Sequence, residues 1–131
     1  MALKRFLIDT HCWLWWHIDP DKLSPSIFQL IEKVKTELLF SVVSAWEITI
    51  KYSLKKLKLP LPPIKYIPSR LEQSYMEILP IQIEHTLKVG ELAPHHKDPF
   101  DRLLVAQAQT EKLTVITHDP QFEKYDVDII R

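Results

Sequence analysis

The stretch His95-His96-Lys97-Asp98-Pro99-Phe100-Asp101-Arg102-Leu103-Leu104-Val105-Ala106-Gln107-Ala108 opens a helix that can be read residue by residue. Asp98 suits the N-cap, because its side chain can accept from the free N–H groups of a first turn. Pro99 has no N–H to lose and fits the first helical position, which places Asp101 at the third. Leu104, Val105 and Ala108 follow at i+3, i+4 and i+7 from Asp101, the spacing of one helix face. Asp101 thus lies in the first turn of a helix whose core-facing stripe stands directly behind it. One reading is a capping pair that complements the macrodipole. The other is a carboxylate held on a rigid frame for chemistry. The same device recurs upstream, and two predicted strands also end in Asp.

On the C-terminal side, Leu113 to Thr117 reads as a strand ending in His118-Asp119. Pro120 to Lys124 reads as a turn of helix, and Val127 to Ile130 as a last strand. On the N-terminal side, Glu84 to Leu92 and Ser69 to Ile78 read as helices, separated by a very short strand within Leu79 to Ile83 that Pro80 interrupts. Lys58 to Pro68 is a connection, since Pro60, Pro62 and Pro63 exclude a continuous helix. Ser44-Ala45-Trp46-Glu47 matches the S-x-x-E capping box and predicts a helix to about Leu57 with Ile50, Leu54 and Leu57 as its stripe. Glu47 then occupies the place on its helix that Asp101 has on its own. Leu38 to Val43 is a continuous apolar run of strand length. Further upstream, Ser24 caps a helix that starts at Pro25 and carries Ile27, Leu30, Ile31 and Val34; Asp19-Pro20-Asp21 is a turn. His11 to Ile18 is helical, and Leu3 to Ile8 is a short buried strand running into Asp9-Thr10.

Strands alternating with helices imply a parallel sheet covered on both faces. With 131 residues and no repeat or low-complexity tract, one domain spanning 1–131 is expected. Hydrophobic residues at 46% and charged ones at 26% are ordinary for a globular protein. Seventeen basic residues balance seventeen acidic ones, so a polyanion would have to be held by a local patch. Gly90 is the sole glycine, which excludes a Walker loop, a G-x-G-x-x-G turn and a G-x-S-x-G elbow. The single Cys12 cannot form an internal disulfide. The apolar run before Asp9 is too short for a signal peptide and no segment has the length of a membrane span, so the expectation is a cytoplasmic protein.

In open α/β sheets, ligands bind beyond the carboxyl ends of the strands. Asp9 and Asp119 stand at two such ends, and Glu47 and Asp101 stand in first turns of helices that start on the same edge. Acids gathered in one cleft repel each other and lose hydration, so stability does not explain the gathering. A hard divalent cation resolves the conflict, and oxygen ligands suit Mg2+ or Mn2+ rather than Zn2+. The reaction class that follows is metal-assisted hydrolysis of a phosphodiester.

The chain resembles the PIN-domain (PilT N-terminal) ribonucleases of the VapC toxin type over nearly its whole length. The resemblance is carried by Phe6-Leu-Ile-Asp9-Thr10, Ser44-Ala-Trp-Glu47-Ile-Thr-Ile-Lys51, Asp98-Pro-Phe-Asp101-Arg102-Leu-Leu-Val-Ala-Gln-Ala108 and Val115-Ile-Thr-His-Asp119-Pro-Gln-Phe122, in that order. It implies a three-layer α/β/α sandwich with a central parallel sheet and a Mg2+- or Mn2+-dependent endoribonuclease. It also implies a homodimer and a cognate antitoxin whose C-terminal segment enters the active-site groove. Asp9, Glu47, Asp101 and Asp119 match the family's acidic quartet; Asp98 is an additional acid, a cap or an auxiliary ligand. Thr10 and Thr117 lie where the family often has a hydroxyl beside the metal.

Lys51 and Arg102 are candidates for phosphate contacts, while Lys55, Lys56 and Lys58 read equally as a solvated helix face. Trp13, Trp15, Trp16 and Trp46 read as core or interface residues before base-stacking platforms. His11, Cys12 and His17 lack a fourth partner and read as core rather than a soft metal site. His95-His96 reads as a loop with at best a peripheral part in substrate binding. Three rivals stand beside the ribonuclease reading. An aspartyl phosphatase would want a second Asp where His11 stands; a non-catalytic PIN-like RNA- or protein-binding module would tolerate loss of an acid, and none is lost; a DNA-directed nuclease would share the same chemistry.

Overall fold

In the computed structural model, which describes residues 5–34 and 37–131, five parallel strands form one sheet in the order β3-β2-β1-β4-β5. The strands are β1 (Phe6–Ile8), β2 (Leu38–Ser41), β3 (Glu77–Leu79), β4 (Thr114–Ile116) and β5 (Ile129–Ile130). The chain runs outward from β1 through β2 to β3, then crosses back to lay β4 on the other side of β1. The point of reversal therefore lies between β1 and β4, where a crevice opens at the carboxyl edge of an α/β sheet.

Alternation along the strands splits the core into two layers. Phe6, Ile8, Leu38, Phe40 and Ile116 face one layer, into which α1 (Thr10–Ile18), α2 (Pro25–Val34), α3 (Val42–Ser53) and α4 (Pro63–Ser74) send Trp13, Ile27, Ile31, Ile48, Tyr66 and Leu71. Leu7, Leu39 and Val115 face the other, which receives Leu104, Val105 and Ala108 of α6 (Pro99–Glu111), together with Phe122 and Val43. The seven-residue α5 (Ile83–Val89) packs on α6. The result is the three-layer α/β/α sandwich expected. Trp13 is a core residue, with its ring 4.6 Å from that of Phe40.

Ser24 caps α2 as read, accepting from the Ile27 N–H at 3.3 Å. Other boundaries differ, each for a local reason. The strand expected over Leu3–Ile8 is β1 from Phe6; Leu3 and Lys4 lie outside the described residues. Val42 and Val43 belong to α3 rather than to β2, because Ser41 is the cap: its Oγ accepts from the Val43 N–H at 3.0 Å. The chain passes from strand to helix with no linker, a step that an unbroken apolar run conceals. Ser44 is consequently an interior residue, and Glu47 lies in the second turn of α3, not the first. The stripe shifts with it: Val43, Ser44, Glu47 and Ile48 are buried, while Ile50 and Leu54 are exposed. Helix α3 ends at Ser53, and Lys55 turns left-handed at φ 59°, which prevents continuation to Leu57.

Helix α4 begins inside the proline-rich connection, since Pro63 takes a first-turn position where a missing N–H is harmless. Pro68 is tolerated within it; the carbonyl it cannot bond belongs to Ile64, which is exposed to water. Left-handed Tyr75, at φ 56°, stops α4 before the predicted Ile78 and releases Glu77–Leu79 as an edge strand.

Central β1 has neighbours on both sides and Leu7 is fully buried between them. Leu7→Ala is expected to lower the unfolding free energy by about 3 kcal/mol. Chemical denaturation checks this, and a loss under about 1 kcal/mol would contradict a fixed central strand.

Candidate metal centre

Asp9 follows β1 directly and serves as the N-cap of α1, with Oδ1 accepting from the Cys12 N–H at 2.7 Å. Its other oxygen, Oδ2, accepts from the Thr117 hydroxyl at 2.5 Å, across the gap between β1 and β4. Burial pushes the Asp9 carboxyl above its ordinary range, against the opposing pull of the Thr117 and Cys12 hydrogen bonds. The Thr117 oxygen also accepts from the Asp119 N–H at 2.9 Å, so one hydroxyl sets the spacing of two acids. Asp119 in turn caps the 3-10 turn Pro120–Lys124, with Oδ1 accepting from the Gln121 N–H at 2.9 Å.

Glu47 enters from α3, almost wholly buried. Its Oε2 pairs with Lys51 one turn on, while its Oε1 is buried and without a hydrogen-bond partner. Burial pulls the Lys51 ammonium down, but the hydrogen bond and charge of Glu47, with Asp98 and Asp101 behind it, hold it above its ordinary value.

Asp101 is the electrostatic centre. Burial, then the charges of Asp98, Glu47, Asp9 and Asp119, push its carboxyl from 3.8 up to about 8. A single side chain thus senses every acid that the sequence singled out. The capping alternative for Asp101 is answered by its neighbour. Asp98 makes the cap, with Oδ1 accepting from the N–H groups of Phe100 at 2.8 Å and Asp101 at 3.2 Å. No return bond from the Asp101 carboxylate is needed, because the Asp98 N–H is taken by His96 Nδ1 at 3.1 Å.

His96 was not expected here. Its Nε2 lies 2.9 Å from Asp119 Oδ2 and 3.0 Å from Asp101 Oδ2, in the middle of the centre rather than at its periphery. Among the described residues, His96, Asp101 and Asp119 are the group whose ligand atoms converge, all within 4.8 Å of one another. The available signal was its position two residues before an N-cap Asp, where a ring nitrogen can accept the cap's own N–H.

Thr10 and Thr117 divide the supporting work. Thr117 holds Asp9, whereas Thr10 donates to Ser44 Oγ at 2.8 Å and locks α1 to α3 behind Glu47. Ser44, read as a cap, is that partner. Arg102 turns away from the acids and donates to the carbonyls of Val89 at 3.1 Å and Leu92 at 3.5 Å, bracing the loop ahead of α6. Lys51 and Lys56 line a cleft of about 340 Å³ that also takes in Thr10, His11 and Glu47. Cys12 is buried and His11 exposed, and burial, then the charge of Arg70, drives His17 down to about 4. These three residues do not converge as a site among the described residues.

Carboxylate oxygens from two strand ends and two helices, one of them buried and unpartnered, fit a hard divalent cation and do not fit a thiophilic one. Fold and donor set together define the class: a parallel α/β/α sandwich with an acidic crevice at its switch point whose oxygens could hold a cation. The model of the PIN domain family matches residues 6–128, and the chain belongs to that family. Ribonuclease VapC22 of Mycobacterium tuberculosis is 25% identical over 124 residues, covering 94% of this chain and 93% of its own. Ribonuclease VapC16 of the same organism is 37% identical over 57 residues, 44% of this chain but only 40% of that relative's length. Among solved structures, DNA-bound VapBC from Salmonella typhimurium superposes with a TM-score of 0.69 at 17% identity, covering 98% of each chain. FitAcB from Neisseria gonorrhoeae gives 0.67 at 20% identity, with 96% of each covered. At such identities the superpositions establish a shared fold.

The raised Asp101 carboxyl has a measurable consequence. The folded state holds a proton that the unfolded chain releases near its ordinary value of 3.8, so stability falls as pH rises from there through about 8. Asp101→Asn removes that titration and leaves the Asp98 cap in place. In chelator, Asp101→Asn is expected to gain stability over the unsubstituted protein progressively across this window and to level off above it. A stability difference that stays flat from about pH 4 to about pH 9 in denaturation curves would contradict the assignment.

Proposed function

We propose that this protein is a metal-dependent endoribonuclease that hydrolyses RNA phosphodiesters at the Asp9, Glu47, Asp101 and Asp119 cluster, and that it is the toxin of a toxin–antitoxin pair. The observation that carries the reading is the gathering of acids around Asp101, whose carboxyl is raised by burial first and then by the charges of Asp98, Glu47, Asp9 and Asp119. Such crowding is unfavourable without a cation and is relieved by one.

Mg2+ or Mn2+ is the cation that the oxygen donors suit, with Asp9, Glu47, Asp101 and Asp119 as holders directly or through water. When bound, such an ion polarises a phosphoryl oxygen and lowers the pKa of water beside it. The chain's own residues supply the rest. Thr117 fixes the Asp9 Oδ2 lone pairs, and the cap bonds fix Asp9 Oδ1 and Asp119 Oδ1, so little reorganisation remains when charge develops. Asp98 adds negative charge beside Asp101 while capping α6, an auxiliary part. Lys51, paired with Glu47 at the cleft, balances charge there and offers a cation to a phosphate of the RNA backbone. Arg102 acts on that contact indirectly, by holding the loop.

The relatives' names support an RNA substrate, and the VapBC and FitAcB neighbours support a cognate antitoxin as partner. We place the protein in the cytoplasm as a homodimer on the family resemblance; no helix among the described residues is long and apolar enough to cross a membrane. The acids present leave no gap that would favour a binding-only module.

Purified protein is expected to cleave RNA with Mg2+ or Mn2+ and to stop in chelator. Asp9→Asn is expected to cut the rate by more than about a hundredfold while melting as a folded protein. Cleavage by Asp9→Asn at the unsubstituted rate, or cleavage that survives chelator, would overturn the reading. In cells, growth arrest on expression should disappear with the same substitution.

A further inference from the structure

His96 is a member of the centre that a carboxylate-held cation does not require, and its hydrogen bonds define what it does there. Its Nδ1 faces the Asp98 N–H at 3.1 Å and accepts from it, so the ring proton resides on Nε2. That Nε2–H donates to Asp119 Oδ2 at 2.9 Å, and Asp101 Oδ2 lies 3.0 Å from the same nitrogen. A histidine that ligates a metal carries its proton on the far nitrogen and donates it to a carbonyl or carboxylate. His96 has the reverse arrangement: a backbone donor faces its far nitrogen, and a proton points at the acids. The cation reading of the cluster has a second support: Glu47, whose charge Asp101 senses, has its Oε1 buried with no hydrogen-bond partner.

We propose, resting on the metal-centre reading above, that His96 competes with the divalent cation for Asp101 and Asp119 rather than ligating it. Asp101 and Asp119 would hold a cation through these two oxygens, and His96 brings a proton to the same pair of atoms. The ring turns aside when the cation takes them. It is free to do so without disturbing the sheet. His96 belongs to the loop ahead of α6, its side chain is in part exposed, and its backbone N–H is tied separately to the Tyr125 hydroxyl at 2.8 Å. The imidazole thereby holds the two carboxyl groups together until the cation arrives, and it sets the affinity lower than the number of acids would give.

The two roles predict opposite signs. Mn2+ binding to the full chain, stripped with chelator and dialysed, is titrated by the loss of the free-ion electron paramagnetic resonance signal. His96→Ala is expected to bind Mn2+ about tenfold more tightly, the equivalent of one hydrogen bond to a charged group. His96→Gln, which keeps an N–H donor on a side chain of similar reach, should stay near the unsubstituted affinity. Circular dichroism confirms that each variant is folded, and His96→Gln preserves the comparison if His96→Ala is not. Pulsed measurements on the Mn2+-loaded unsubstituted protein should show no nitrogen coupling of a coordinated imidazole. Weaker binding by His96→Ala, or a directly coordinated nitrogen, would overturn the competition and make His96 a ligand. Unchanged affinity in both variants would also overturn it. Failure of the unsubstituted protein to bind Mn2+ at all would instead overturn the metal centre itself, a separate and recognisable result.

Discussion

Mutual repulsion of carboxylates held in a buried crevice is the constraint on which the rest of this structure depends. Asp9, Glu47 and Asp101 are each nearly inaccessible, and Asp119 closes the group from the end of β4. Nothing local would keep such charges together in an isolated segment. They are held because each sits on an element whose apolar side is committed to one of two core layers. Burial behind the site is what makes crowding at the site possible, and the raised carboxyl of Asp101 is the residual strain of that arrangement.

Capping and metal binding are usually weighed as alternatives for an acid at a helix start; here the cap takes one oxygen of the side chain and leaves the other to the crevice. Asp9 gives Oδ1 to the first turn of α1 and turns Oδ2 toward Thr117 and the crevice. Asp119 divides itself in the same way, Oδ1 to the turn after it and Oδ2 to His96. The cap bond orients the carboxylate by pinning one oxygen to a backbone that is itself fixed by the sheet. A family of helix starts along one sheet edge thus presents carboxylate oxygens to one crevice with few rotatable bonds left over, and those of Asp101 and Asp119 meet His96 within 4.8 Å.

A second polar network does structural work away from this edge and shows what a satisfied buried histidine looks like. His85, fully buried, accepts from the Gln82 N–H at 2.9 Å and reaches Glu111 at 3.0 Å. Gln107 joins it to the Ser41 cap and to the Pro80 carbonyl, tying α6 to the end of β2 and to the chain after β3. Each of these groups has its partner. Glu47 Oε1 has none, as is also true of Trp13 Nε1, His17 Nε2, Arg70 Nε and Gln121 Oε1, but among these it is the carboxylate oxygen, the donor type a hard cation takes.

The alternation of apolar runs with capped amphipathic segments determined the parallel sheet and its two covered faces, because periodicity and caps are local properties of the chain. The placing of Asp9, Glu47, Asp101 and Asp119 along one edge was legible for the same reason: strand ends and helix starts share one edge in any such sheet. Segment joints were less legible. Val42 and Val43 satisfy strand and helix equally well, and only the Ser41 oxygen, bonded to the Val43 N–H and to distant Gln107, decides for the helix. That three-residue shift moved Glu47 from the first turn to the second and replaced the predicted stripe, yet left its carboxylate at the crevice, since α3 starts at the same edge. What tertiary structure alone decided were contacts between residues far apart in the chain: Thr117 on Asp9, Thr10 on Ser44, Arg102 turned to the loop carbonyls, and His96 placed between Asp101 and Asp119. A side chain's partner across such distances depends on the path of the backbone between them; for His96 the local spacing encodes only its bond to the Asp98 N–H.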